Sequence, residues 1–70
     1  MKKINIKLPL REIVFELRSQ TTLFELLANA FGSMALAWGY FNGDYRVTID
    51  GKTADYKSVV TILNNTISIV

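Results

Sequence analysis

Apolar and polar residues alternate with a period of two at both ends of the chain, and with a helical period between them. Ile4, Ile6 and Leu8 interleave with Lys3, Asn5 and Lys7, which predicts a strand over residues 3–8 with one wet face. Pro9 ends it, because proline brings no donor to a ladder. Over residues 12–18, Ile13, Phe15 and Leu17 point one way and Glu12, Val14, Glu16 and Arg18 the other. Two alternating runs so close together predict an antiparallel hairpin. Thr22 and Glu25 have capping-box spacing, which starts a helix at Leu23 that runs at least to Phe31. Leu23, Leu26, Leu27, Ala30, Phe31 and Met34 form its apolar stripe, and Glu25, Asn29 and Ser33 its wet side. Gly32 either closes this helix as a left-handed cap or is tolerated within it.

Residues 34–41 fit either a second helical segment or a continuation of the first. Asn42-Gly43-Asp44 signals a turn. A third strand is predicted over residues 44–50, with Tyr45, Val47 and Ile49 inward. Asp50-Gly51 is a strong two-residue turn signal. A short strand is expected near Thr53, a short apolar run over residues 59–63, and a tight turn at Asn64-Asn65. The last strand covers residues 66–70, with Ile67 and Ile69 inward. Strands before and after one main helix predict an α+β domain over residues 1–70, the helix lying across one sheet face. The inward sets Ile4/Ile6/Leu8, Ile13/Phe15/Leu17, Tyr45/Val47/Ile49 and Ile67/Ile69 should meet Leu23, Leu27 and Phe31.

Composition narrows the chemistry. The chain has 70 residues, 50% of them hydrophobic and 20% charged, with no Cys and no His. Disulfides, thiolate metal sites, a thiol nucleophile and a histidine base are all excluded. A chain this short buries only about 60% of the surface that it exposes when unfolded, so its stability depends on a dense apolar core. The net charge of +2 is too weak to indicate nucleic acid, although Lys2, Lys3, Lys7 and Arg11 cluster near the N-terminus. The first residues lack the apolar run of a leader peptide, and the longest unbroken apolar stretch, residues 34–41, is far below the ~20 residues of a membrane span. A cytoplasmic location is expected, although a lack of Cys suits an extracellular one equally well.

The candidate constellations are few. Glu12 and Glu16 share a strand face with Arg18, and solvated strand charges account for them better than an acid–base pair does. Asp44, Asp50 and Asp55 stand at turns, at spacings that fit no calcium loop. Gly32, Gly39, Gly43 and Gly51 are isolated and make no phosphate-binding loop. Serines without histidine have no motif for nucleophilic chemistry. No catalytic residue, cofactor, metal or small-molecule substrate is therefore expected, and the protein is read as a non-enzyme. The remaining feature is aromatic: Trp38, Tyr40, Phe41 and Tyr45 crowd beside a turn. They form either a second small core under the loop or an exposed binding patch. Packing Met34, Leu36, Trp38, Tyr40 and Phe41 inside together with the main helix would overfill so small a core. Met34, Trp38, Tyr40 and Phe41 are accordingly the candidate partner-binding residues, for a protein partner or a second copy.

The order of elements resembles the β-grasp, or ubiquitin-like, superfamily, which implies one main helix packed on a mixed four- to five-stranded sheet. Residues 20–27, Gln-Thr-Thr-Leu-Phe-Glu-Leu-Leu, look like the helix entry of the ThiS/MoaD sulfur carriers. Val47-Thr48-Ile49-Asp50-Gly51-Lys52 and residues 62–69 resemble their later strands, with Asn64-Asn65 where Gly-Asp usually stands. The carriers' Gly-Gly tail is missing: the sequence ends Ser68-Ile69-Val70, which implies no carrier role. Residues 22–31, and Tyr45-Arg46-Val47-Thr48-Ile49-Asp50-Gly51 after a Gly-aromatic stretch, are similar to the N-terminal domain of the phage tail assembly protein I family. That resemblance implies a phage or prophage tail-assembly factor with no catalytic residues. The alternatives are a tail-less sulfur-carrier-like regulator docking on a larger enzyme, and a TGS-like RNA-binding accessory domain, against which the weak charge argues.

Overall fold

A computed structural model describes residues 1–70. Strands β1 (Lys2–Lys7) and β2 (Glu12–Leu17) form the expected hairpin, with Ile4 opposite Phe15 and Ile6 opposite Ile13. There follow β3 (Thr21–Thr22), helices α1 (Leu23–Phe31) and α2 (Met34–Gly39), β4 (Val47–Ile49), β5 (Lys52–Thr53), β6 (Val59–Val60) and β7 (Thr66–Ile69). Five strands make one sheet in the order β2-β1-β7-β4-β5. The central pair is parallel, with Ile6 beside Ile67, and the other pairs are antiparallel. The architecture is α+β with a mixed sheet.

The two central strands carry the core. Ile4, Ile6, Ile67 and Ile69 are fully buried, and Leu23, Leu26 and Leu27 of α1 are buried with them. Each such side chain contributes roughly 1.5–3 kcal/mol by leaving water. Val47, Ile49, Leu17, Val60 and Ala37 complete the core. No buried side-chain polar atom lacks a hydrogen-bond partner.

Local signals set the helix ends. Thr22 Oγ1 accepts from the Glu25 N–H at 3.2 Å, as the capping spacing requires. The reciprocal half of the box differs: the Glu25 carboxylate accepts from the Thr21 hydroxyl, at 3.1 Å. Gly32 takes φ +70°, and both its N–H and that of Ser33 donate to the Ala28 carbonyl. Ser33 Oγ then accepts from the Leu36 N–H at 3.2 Å and opens α2. A left-handed cap followed at once by an N-cap breaks the chain into two helices, where the sequence pattern suggested one main helix and left residues 34–41 open.

Three expectations are corrected. Tyr45 is exposed rather than inward, because Asn42 Oδ1 accepts from the Asp44 N–H and bends the chain ahead of the ladder. Main-chain pairing begins only at Arg46, which exchanges bonds with Val70. Leu8, Ile13, Phe15 and Phe31 are half-buried, packed on the core's margin; Ile13 and Phe15 lie on an edge strand with a neighbour on one side only. Asn64-Asn65 is no positive-φ turn, since Asp50 is the one non-glycine residue with positive φ. Asn64 instead closes a turn through its side chain, accepting from the Thr61 N–H at 2.8 Å. The apolar run after residue 58 adds no strand to the main sheet: β6 pairs with β3, and Ile62 and Leu63 remain exposed.

Candidate partner-binding surface

Helix α2 is held by its smallest side chain. Ala37 is fully buried and Gly39 half-buried, while the other residues of the helix are exposed. Met34 is 67% exposed, Leu36 56% and Trp38 49%. Trp38 lies one helical turn from Met34, so the two share a face.

Trp38 is fixed on two sides. Its ring lies 4.4 Å from the Phe24 ring of α1 and 5.2 Å from that of Tyr56. Tyr56 is positioned by the unsatisfied first turn of α1. The Leu23 N–H donates to the Ser58 carbonyl at 2.7 Å, and the Phe24 N–H to the Tyr56 carbonyl at 3.2 Å. Asp55 and Ser58 brace the same loop, the Asp55 N–H donating to Ser58 Oγ at 3.0 Å and the Lys57 N–H to Asp55 Oδ1 at 2.9 Å. The Lys57 ammonium sits 5.5 Å from the Tyr56 ring centre, within cation–π reach.

Tyr40 and Phe41 behave differently from Met34 and Trp38. Both are half-buried against the core. The Tyr40 ring lies between Phe31 at 5.3 Å and Tyr45 at 5.2 Å, and Phe41 meets Tyr56 edge-on at 6.4 Å. Of the four predicted site residues, Met34 and Trp38 are thus exposed and Tyr40 and Phe41 half-buried; Tyr56 links Trp38 to Phe41, whereas Tyr40 packs between Phe31 and Tyr45. Tyr40 and Tyr45 also border two shallow depressions, one toward Ala54 and Tyr56 and one toward Leu8 and Leu10. Phe24 and Tyr56 belong to the surface and were missing from the sequence reading. Phe24 stands beside the apolar stripe of α1, and Tyr56 lies in a stretch with no periodicity, so only Phe24 carried any signal.

Asp55 is the carboxylate that borders this surface, and there it holds the Tyr56 loop. Glu12 and Glu16 are exposed on β2, and no three acidic side chains converge as a metal site would require. Asp50 has a structural role. Its carboxylate accepts from Asn64 Nδ2 at 2.9 Å, from the Thr66 N–H at 2.9 Å and from the Asn65 N–H at 3.1 Å. The Asn64 amide first, then the Thr66 N–H, hold its pKa below the ordinary 3.8; slight desolvation opposes them, and the Asn65 N–H and the Lys2 charge add to the lowering.

No known protein family, curated protein or solved structure matches the chain. No helix is long and apolar enough to cross a membrane.

Proposed function

We propose that this chain is a non-enzymatic protein–protein interaction module on a β-grasp frame, acting in phage or prophage tail assembly. The frame is supported by a first hairpin, a helix laid on the sheet, and a last strand that returns parallel to the first. The tail-assembly role rests on the resemblance of residues 22–31 and 45–51 to that family.

One observation carries the binding role: a tryptophan half in solvent, clamped between Phe24 and Tyr56 and flanked by exposed Met34. Rigid aromatic anchors dominate interface energies, and a side chain already immobilised loses little entropy on binding. Methionine beside it adapts to the partner's contour.

The test uses purified phage tail-tip proteins as ligands, with binding and melting measured on the same variants. Trp38→Ala should weaken association by about 2 kcal/mol or more. Met34→Asp alters the same face at an exposed position and leaves the aromatic stack in place. Loss of binding in both, with Met34→Asp melting like the parent, supports the surface. If Trp38→Ala unfolds the chain while Met34→Asp binds normally, the aromatic cluster is core and the interface is refuted.

A further inference from the structure

The two edges of the sheet differ. Strand β5 has two residues, one of them Lys52, and an edge so short and charged resists pairing. Strand β2 has six residues and no neighbour on its outer side.

The free main-chain groups of β2 can be identified. The Leu8 N–H donates to the Arg11 carbonyl, and the Asn5 N–H faces the other way, to the Asn65 carbonyl. With Ile4 opposite Phe15 and Ile6 opposite Ile13, the odd-numbered residues of β2 bond to β1. The N–H and C=O groups of Glu12, Val14 and Glu16 therefore point away from the sheet. Val14 is 58% exposed, and Ile13 and Phe15 are covered by the core on one side only.

We propose that two copies of this chain pair antiparallel through β2, about a twofold axis at Phe15. Val14 then lies opposite the second copy's Glu16, and both present the outward main-chain groups that a hydrogen-bonded pair needs. Ile13 faces the second copy's Leu17, and Phe15 faces its own counterpart. These are the non-hydrogen-bonded positions, where side chains approach most closely. Glu12 faces Arg18 of the second copy at each end.

Charge and strand length together select this register. Moving the axis to Val14 sets Glu12 against Glu16 twice, and moving it to Glu16 sets that residue against itself. Like charges directly opposite each other are destabilising. An axis at Leu17 would also set Glu16 against Arg18, but only Leu17 would then pair strand to strand, whereas the Phe15 axis joins opposite charges and pairs residues 13–17 of both strands. It also keeps the odd-numbered residues of both copies on one face, so the half-covered Ile13 and Phe15 side chains complete each other's burial. None of the α2 residues takes part, so this contact and the Trp38 surface are independent.

Sedimentation equilibrium from micromolar to about 1 mM chain tests the pairing, over the range expected for a contact smaller than about 1,200 Å². Glu12→Arg or Arg18→Glu replaces two opposite-charge pairs with two like-charge pairs and should weaken the dimer roughly tenfold. The double swap should return it to within about threefold of the parent. Val14→Pro removes an N–H that the monomer does not use, so the dimer should vanish while circular dichroism stays native. Trp38→Ala should leave the dimer unchanged. A chain monomeric at about 1 mM, a dimer insensitive to Glu12→Arg, or a double swap that fails to recover would overturn the proposal.

Discussion

Removing the Asp50 carboxylate should unfasten the last strand. Asp50 and Gly51 turn the chain with φ of +50° and +86°, and the Asp50 N–H donates to the Thr66 carbonyl at 2.8 Å. The carboxylate returns the contact by accepting from Thr66, Asn65 and Asn64. It therefore ties the β4–β5 turn to the entrance of β7, the strand that joins both halves of the sheet. A hydrogen bond to a charged group contributes about 1.5–3 kcal/mol when shielded. This site is open to water, which screens the charge and can rehydrate the freed donors. Three such bonds, discounted accordingly, sum to about 2 kcal/mol. A chain of this size has roughly 4–10 kcal/mol of stability in all. Asp50→Gly removes the carboxylate without adding strain, because glycine accepts positive φ, and should lower Tm by about 8–16 °C. Asp50→Ala should fall further, since alanine disfavours the left-handed region. Asp50→Asn keeps one acceptor oxygen and tolerates positive φ, so it should lie between the parent and Asp50→Gly. The pH dependence has a definite sign. A carboxylate whose folded pKa lies below its unfolded 3.8 stabilises the fold above that pH and loses the contribution as pH falls through the folded value. The parent and Asp50→Asn should differ most at neutral pH and converge in acid. Thermal circular dichroism of the four proteins, from neutral to strongly acidic pH, makes the comparison. If Asp50→Gly melts with the parent, the clasp adds nothing and the reasoning fails.

Leu27→Ala empties a fully buried position in the core and should cost about 2–5 kcal/mol, a large share of the total stability, which a urea titration reads as a much lower midpoint; an unchanged midpoint would place the helix face elsewhere. Gly32→Ala adds a Cβ at φ +70° with open space around it, so only backbone strain acts, and about 1–2 kcal/mol should be lost in the same assay. Ser33→Ala removes the acceptor that opens α2 and should cost about 1 kcal/mol. Because α2 carries Trp38, Ser33→Ala should also red-shift the tryptophan emission as the Phe24–Trp38–Tyr56 stack loosens, and an unchanged spectrum would mean that packing alone holds α2.

Near-neighbour physics made much of this protein legible in its residues. Alternation over Ile4/Ile6 and Ile13/Phe15 is enough for two strands, Thr22 with Glu25 for a helix start, and Asp50-Gly51 for a turn, because each depends on atoms within a few positions. The break at Gly32-Ser33 was also local, but a left-handed cap and a tolerated glycine look alike until the Ala28 carbonyl is seen taking two donors. Partnership across the sheet lies outside that range. Ile4 and Phe15 have the same alternating surroundings, yet one is sealed and the other half-covered, because β1 has a strand on both sides and β2 on one only. Tyr45 alternates with Val47 and still faces solvent, since the pairing with Val70 stops at Arg46. Trp38 and its neighbours could be marked as excess apolar area from residue order. Linking the exposed Trp38 to the half-buried Phe41 required Tyr56, which hydrogen bonds to the start of α1 bring in from a loop without pattern. Asp50 reaches Thr66 for the same reason. Periodicity reports which side of an element an amino acid faces, and only the closed chain determines what is there to meet it.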